Sequence, residues 1–187
     1  MKFSVFIATS ADGFIASKDG SLDWLHAAGN KQADMGDNAD MGWAEHLASH
    51  DCLIMGRGTM EAIAAMNLTV DKWPYGDMKI IVLSKTLQQV PDSIPAEIEL
   101  YSGDIPSLIK LLEQQGHQRA YVDGGKTIQS FLNHKLIDEM SIFRAPVLLG
   151  EGIPLFGKTD IEIKLTNAQS EAFANDFVLV KYKVVYS

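Results

Sequence analysis

The chain has 187 residues, 47% of them hydrophobic and 21% charged, with a formal net charge of −8. That balance excludes a disordered tail, a collagen-like repeat or a disulfide-rich scaffold, and it suits one domain over 1–187 with a sizeable core. The acidic excess argues against a nucleic-acid or anionic-membrane partner, since both need a dense positive field, but a phosphate-bearing small molecule needs only a few local donors.

Residues 3–9 form a short, mostly apolar run that ends in the turn signal Asp12-Gly13. The run is too short and too soon broken by polar residues for a signal peptide or a membrane span, so it reads as the first strand of a soluble protein. Residues 17–42 are rich in glycine and aspartate and carry no regular period. The run Cys52-Leu53-Ile54-Met55 predicts a buried strand, followed by glycines and then helix formers through Met66. Cys52 is the single cysteine. It allows no internal disulfide, points to the cytoplasm, and reads as a small buried hydrophobe.

Lys79–Ser84 and 97–101 predict two further strands. Ile105, Leu108, Ile109 and Leu112 stand at helical spacing, with Gly116 as the stop. Residues 119–122 predict a strand, 127–136 a helix, and 139–149 and 177–186 two β-rich stretches with no helix between them. Strands alternating with helices imply an α/β fold: a mixed, mostly parallel sheet, covered by helices on both faces, with an antiparallel C-terminal edge.

Two glycine turns stand between a strand and a helix, where backbone N–H groups and the helix dipole favour an anion. Gly56-Arg57-Gly58-Thr59 resembles the start of a dinucleotide fingerprint, but Glu61 occupies the place of its third glycine. Gly124-Gly125-Lys126-Thr127 echoes a P-loop without its leading glycine, which is replaced by Ala120. Neither motif is complete. Together with Ser84-Lys85, however, they put a cation and a hydroxyl at three strand ends. That arrangement suits NADPH better than NADH, because the extra 2′-phosphate needs cationic partners.

These segments, in this order, resemble the dihydrofolate reductase-like superfamily. The likeness is to the group around the C-terminal reductase domain of the bifunctional riboflavin-biosynthesis deaminase/reductase. The residues that carry it are Ile7-Ala8, Asp12–Ala16, Gly20 with Asp23-Trp24-Leu25, Ile54–Glu61, Ile80–Lys85, Val122–Lys126 and Gly150–Phe156. The resemblance implies NADPH across the C-terminal ends of the strands and hydride transfer to a heterocycle or its attached sugar. By position, Gly56, Arg57 and Thr59 would hold one side of the cofactor. Leu83, Ser84 and Lys85 would meet the adenosine 2′-phosphate, Gly124, Gly125, Lys126 and Thr127 the pyrophosphate, and Ala8 and Ile15 the nicotinamide. Asp40 falls at the substrate-facing acid, with Glu45 in reserve.

The departures are informative. Asp23 precedes Trp24 where folate reductases have proline, and Met78 replaces the arginine that grips the folate tail. Ala64–Thr69 lacks the acidic-acidic-proline loop of the riboflavin reductases, and the deaminase zinc motif is absent. His46 and His50 are four apart, but Leu47 stands where a zinc peptidase needs glutamate, so they read as surface residues and no metal is expected. Trp43 and Trp73 read as packing residues. The alternatives to an NADPH-dependent riboflavin-type reductase are a true dihydrofolate reductase and a non-catalytic cofactor-binding protein of the same fold. A homodimer is also expected, because 139–149 is too apolar for a solvated sheet edge and relatives of this kind commonly dimerise.

Overall fold

The apolar runs read above lie side by side in the computed structural model, which describes residues 1–186. In chain order the strands are β1 (Lys2–Ser10), β2 (Phe14–Ala16), β3 (Cys52–Gly56), β4 (Lys79–Leu83), β5 (Ile98–Tyr101), β6 (Arg119–Asp123), β7 (Glu139–Ala145), β8 (Ile153–Pro154), β9 (Ile163–Ala172) and β10 (Val178–Tyr186). The helices are α1 (Asp23–Ala27), α2 (Trp43–Ala48), α3 (Arg57–Ala65), α4 (Ile105–Gln114) and α5 (Gly125–Asn133). Eight strands form one sheet in the order β5-β4-β3-β6-β1-β7-β10-β9, and β2 and β8 form a separate small ribbon. The first six strands of that order run parallel. β10 is antiparallel to both β7 and β9, which makes the expected antiparallel edge.

Helices cover both faces. On one, Leu108 and Leu112 of α4 and Ile128, Phe131 and Leu132 of α5 pack on Phe3, Val5, Ile54, Val122 and Met140. On the other, Met60, Ile63 and Ala64 of α3 meet Leu53, Met55, Val82 and Tyr121, flanked by Trp43 of α2. Phe131 is fully buried, and its truncation to Ala costs about 3–5 kcal/mol by the usual cavity penalty. The chain leaves β3 leftward for β4 but returns rightward from β6 to β7, so the connections diverge between β3 and β6. In open α/β sheets such a switch point leaves a crevice at the strands' C-terminal ends.

Two expectations need correction. The stretch 139–149 is not an edge strand: β7 stops at Ala145, before Pro146, and pairs with β1 on one side and β10 on the other. The edge is β9, which falls between the two stretches expected to be β-rich; all of its residues after Ile163 are exposed. His46 and His50 are not surface residues. The His46 ring centroid lies 4.5 Å from that of Phe6 and 4.7 Å from that of Tyr121, and burial pushes its pKa down to about 3. His50 meets Ser4 Oγ through Nε2 at 2.5 Å. Trp43 and Trp73 pack as expected. No helix is long and apolar enough to cross a membrane among the described residues.

Candidate active site

The site is built first from backbone. β3 and β6 lie adjacent, and each gives way at its C-terminal end to a nine-residue helix through a glycine turn. Gly124 has φ +89°, a region that only glycine enters without strain. The two turns interlock. A side-chain carbon at Gly124 would fall on the Thr59 hydroxyl, and one at Gly56 would come within 2.8 Å of the Thr127 hydroxyl. The N-termini of α3 and α5 therefore face one crevice with Thr59 and Thr127 between them, a ready anion cradle.

The neighbouring strand end joins this cradle. Arg57 Nη1 donates to Thr86 Oγ1 at 3.0 Å, and its Nε pairs with Glu61 at 3.2 Å, so the guanidinium spans from α3 to the turn after β4. Ser84 Oγ accepts the backbone N–H of Leu87 at 3.0 Å, which shapes that turn, while Lys85 and Lys126 are exposed. Thus the three strand ends do converge. Ile15 lies over the first turn of α5: its Cδ1 is 2.8 Å from where a Cβ of Gly125 would be, with the Pro154 carbonyl at 3.3 Å. Asp12 fixes this roof by accepting Ser10 Oγ at 2.5 Å and the N–H groups of Leu149 and Gly150 at 3.2 and 2.7 Å. These hydrogen bonds, led by that of Ser10, hold its carboxyl below the usual range.

Beyond Ala8 lies a cavity of about 380 Å³, with Phe6, Leu25, Met41, Phe143 and Phe177 as apolar walls and His26, Lys31, Asp40 and Asn175 as polar groups. Its far wall is the β9–β10 turn, clamped to the 28–41 loop by Asn30 N–H on the Asn175 carbonyl at 3.1 Å. Gly29, at φ +78°, sits so close that a Cβ would come within 2.7 Å of that carbonyl. Asp40 lines the cavity. Its carboxylate, however, accepts the N–H groups of Ala44 and Gly42 at 2.9 and 3.0 Å, and these bonds lower its pKa. Glu45 is exposed and does not line the cavity.

A further acidic residue, Asp123, stands beside the cradle. Asp123 ends β6 directly before the Gly124-Gly125 turn and accepts the Gly124 N–H at 2.8 Å. Burial pushes its pKa up to about 6, although that N–H and the Tyr121 hydroxyl favour the charged form. The single hydroxyl proton of Tyr121 is shared between Asp123 and the Phe6 carbonyl, 2.9 Å away, which ties Asp123's surroundings to the cavity wall. The signal was an acid between an apolar strand and two glycines.

An open, mostly parallel sheet with an antiparallel C-terminal edge and a switch point between β3 and β6 is a dihydrofolate reductase-like fold. The chain belongs to the RibD C-terminal domain family, whose model matches residues 2–179. It is 32% identical over 166 residues to the uncharacterised protein YwjB of Bacillus subtilis, covering 88% of this chain and 87% of that one. It is 29% identical over 157 residues to the riboflavin biosynthesis protein RibD of Corynebacterium ammoniagenes, but spans only 43% of its length. Among solved structures, a "Putative riboflavin biosynthesis protein" from Shewanella sp. PV-4 superposes with a TM-score of 0.86 at 38% identity, covering 99% of both chains. The deaminase/5-amino-6-(5-phosphoribosylamino)uracil reductase of Thermotoga maritima shares the fold at 16% identity. Its TM-score is 0.65, over 98% of this chain and 56% of that one.

Proposed function

We propose that this protein is an NADPH-dependent reductase of the riboflavin-biosynthesis type, acting on a small heterocyclic substrate similar to 5-amino-6-(5-phosphoribosylamino)uracil. The observation that carries the reading is the interlocked pair of helix N-termini at the β3/β6 switch point, beside an apolar cavity with an acid on its wall. The cradle fits a dinucleotide: two glycine turns without room for side chains, two hydroxyls, and a guanidinium reaching the next strand end. Gly56, Arg57 and Thr59 would hold one side of the cofactor and Gly124, Gly125, Lys126 and Thr127 its pyrophosphate. Leu83, Ser84 and Lys85 would take the 2′-phosphate, with Ala8 and Ile15 beside the nicotinamide. Bound there, the nicotinamide supplies a hydride, and the substrate takes that hydride and one proton.

The two carboxyls divide the remaining work. Asp40, kept ionised by Ala44 and Gly42, accepts a hydrogen bond from a substrate N–H rather than donating a proton. Asp123 braces the Gly124 turn through its N–H and does not line the cavity, so it serves the cradle rather than the substrate.

Nicotinamide fluorescence on titrating the purified protein tests the reading. NADPH is expected to bind more tightly than NADH; no binding, or a preference for NADH, overturns it. Cofactor binding with no turnover of any pyrimidine would favour a non-catalytic binding protein instead. A folate reductase is disfavoured because Met78 packs into the core beside α3 and offers a folate carboxylate no partner. We also propose a cytoplasmic homodimer. The support for pairing is now the exposed edge β9, whose Leu165 lies opposite Val184; light scattering should give twice 20.5 kDa.

A further inference from the structure

At the opposite end of the sheet from the crevice, three side chains of different ligand chemistry share one corner. Asp51 precedes β3, Cys52 is its first residue, and His117 follows α4. One ligand atom from each lies within 4.8 Å of the others. The local sequence builds this corner. Gly116, at φ +90°, ends α4 with His117 N–H on the Leu112 carbonyl and Gly116 N–H on the Glu113 carbonyl, both at 3.0 Å. This helix stop turns His117 back under the sheet. Asp51 Oδ2 is held by the N–H groups of Gln118 and Arg119 at 2.7 and 3.2 Å, which leaves Oδ1 toward the corner.

We propose that Asp51, Cys52 and His117 bind a thiophilic divalent cation of the zinc type, as a structural clip outside the reductase site. Oδ1 and His117 Nδ1 are 3.3 Å apart, about the edge of a tetrahedron whose metal–ligand bonds are ~2.0–2.1 Å. An oxygen, nitrogen and sulfur set selects zinc-like ions over magnesium or calcium, which prefer oxygen alone. The Asp51 cap is the kind of outer contact that orients a ligand in advance. The nearby cations are already neutralised, Lys79 by Glu99 at 2.6 Å and Arg119 by Glu139 at 3.5 Å. Cys52 is fully buried, whereas Asp51 and His117 are partly exposed, so the ion enters from the solvent side, where the fourth position takes water. Each ion bound displaces one proton from the Cys52 thiol to solvent. Without the ion, Asp51 pairs with His117 and accepts a hydrogen bond from the Cys52 thiol, and the ion would replace both contacts.

The test is a cobalt(II) titration of the full chain after chelator treatment, followed by optical absorption and then by displacement with zinc. The expected result is one equivalent bound, with a thiolate-to-cobalt charge-transfer band that zinc abolishes. Cys52→Ser should remove that band, and His117→Gln should weaken binding by about a hundredfold or more, since loss of a ligand exceeds the ~10–100-fold cost of losing an outer contact. Zinc should raise the melting temperature of the wild type but not of His117→Gln, which stands on a partly exposed turn and tests the site should Cys52→Ser fail to fold. No charge-transfer band at millimolar cobalt, or zinc stabilisation that His117→Gln leaves unchanged, overturns the proposal.

Discussion

The cofactor side and the substrate side of the crevice are built differently. The proposed cofactor side is contiguous: each glycine turn carries its own helix start, hydroxyl and cation within four residues, and presents backbone N–H groups. The second is assembled from segments remote in sequence: Ala8 on β1, the 28–41 loop, Phe143 on β7 and Asn175–Phe177 in the last turn. A motif within one turn is fixed by its own local backbone, whereas a cavity made from several segments depends on how the fold brings them together. The departures at Ala64–Thr69 and Met78 lie elsewhere: Leu68 and Met78 pack with α3, and neither lines the cavity.

Matched glycine substitutions give the largest expected effects and separate the two sides. Gly124→Ala forces a side chain into the positive-φ conformation against Thr59. Gly29→Ala does the same against the Asn175 carbonyl and the Phe177 ring. Each should cost about 2–4 kcal/mol of stability from strain and overpacking, read by urea denaturation. Gly124→Ala should also abolish NADPH binding, and Gly29→Ala should spare it. Equal loss of NADPH in both variants would mean that the two sides are not independent.

Next in size is the replacement of Arg57 and Lys85 together by Ala. Two charge-assisted bonds at roughly 1.5–3 kcal/mol each imply that NADPH weakens by on the order of a hundredfold or more. NADH, lacking the 2′-phosphate, should change far less in the same fluorescence titration. An equal loss of both cofactors would place these residues at the pyrophosphate instead.

A smaller effect, and one of opposite sign, is expected at Asp123. Its carboxyl ionises near pH 6 in the folded protein and near 3.8 when unfolded. The unfolded state therefore loses the proton first, and stability falls as pH rises through the window from about 4 to 6. Asp123→Asn should remove that dependence and stabilise the protein at pH 8 by about 2 kcal/mol, allowing for partial exposure, as thermal melts across pH would show. A stability profile identical to wild type would contradict the raised pKa. Smallest of all, Asp40→Asn should leave NADPH affinity unchanged, since Asp40 faces the cavity and not the cradle; weaker NADPH binding in this variant would blur the division.

What was legible in the sequence follows the same division. The parallel strands are continuous apolar runs, the helices carry clear periods, and both glycine turns announce themselves locally. Strand β9 is hard to read in IKLTNAQSEA because only Ile163 packs on the core, the residues after it face solvent, and the apolar–polar alternation stops after Thr166. Leu136 and Ile137 continue past α5 with no local sign that the helix has ended at Asn133. His46 and His50 looked like surface residues because the Phe6, Tyr121 and Ser4 groups that enclose them come from other strands. The family resemblance puts Asp40 at a substrate-facing position, but nothing in its neighbours signals that the Gly42 and Ala44 N–H groups bind its carboxylate. Asp123 had a local signal, and its environment depends on Tyr75 and Tyr121, which only the fold brings near.

The most direct test of the central claim is a crystal structure with NADPH bound. The pyrophosphate is predicted between the N-termini of α3 and α5, within hydrogen-bond reach of Thr59 and Thr127. The 2′-phosphate should lie against Arg57 and the Ser84-Lys85 turn, and the nicotinamide beside Ala8 at the mouth of the Asp40 cavity. Density for the cofactor in any other part of the molecule, or the dinucleotide bound with its nicotinamide turned away from that cavity, would contradict the account.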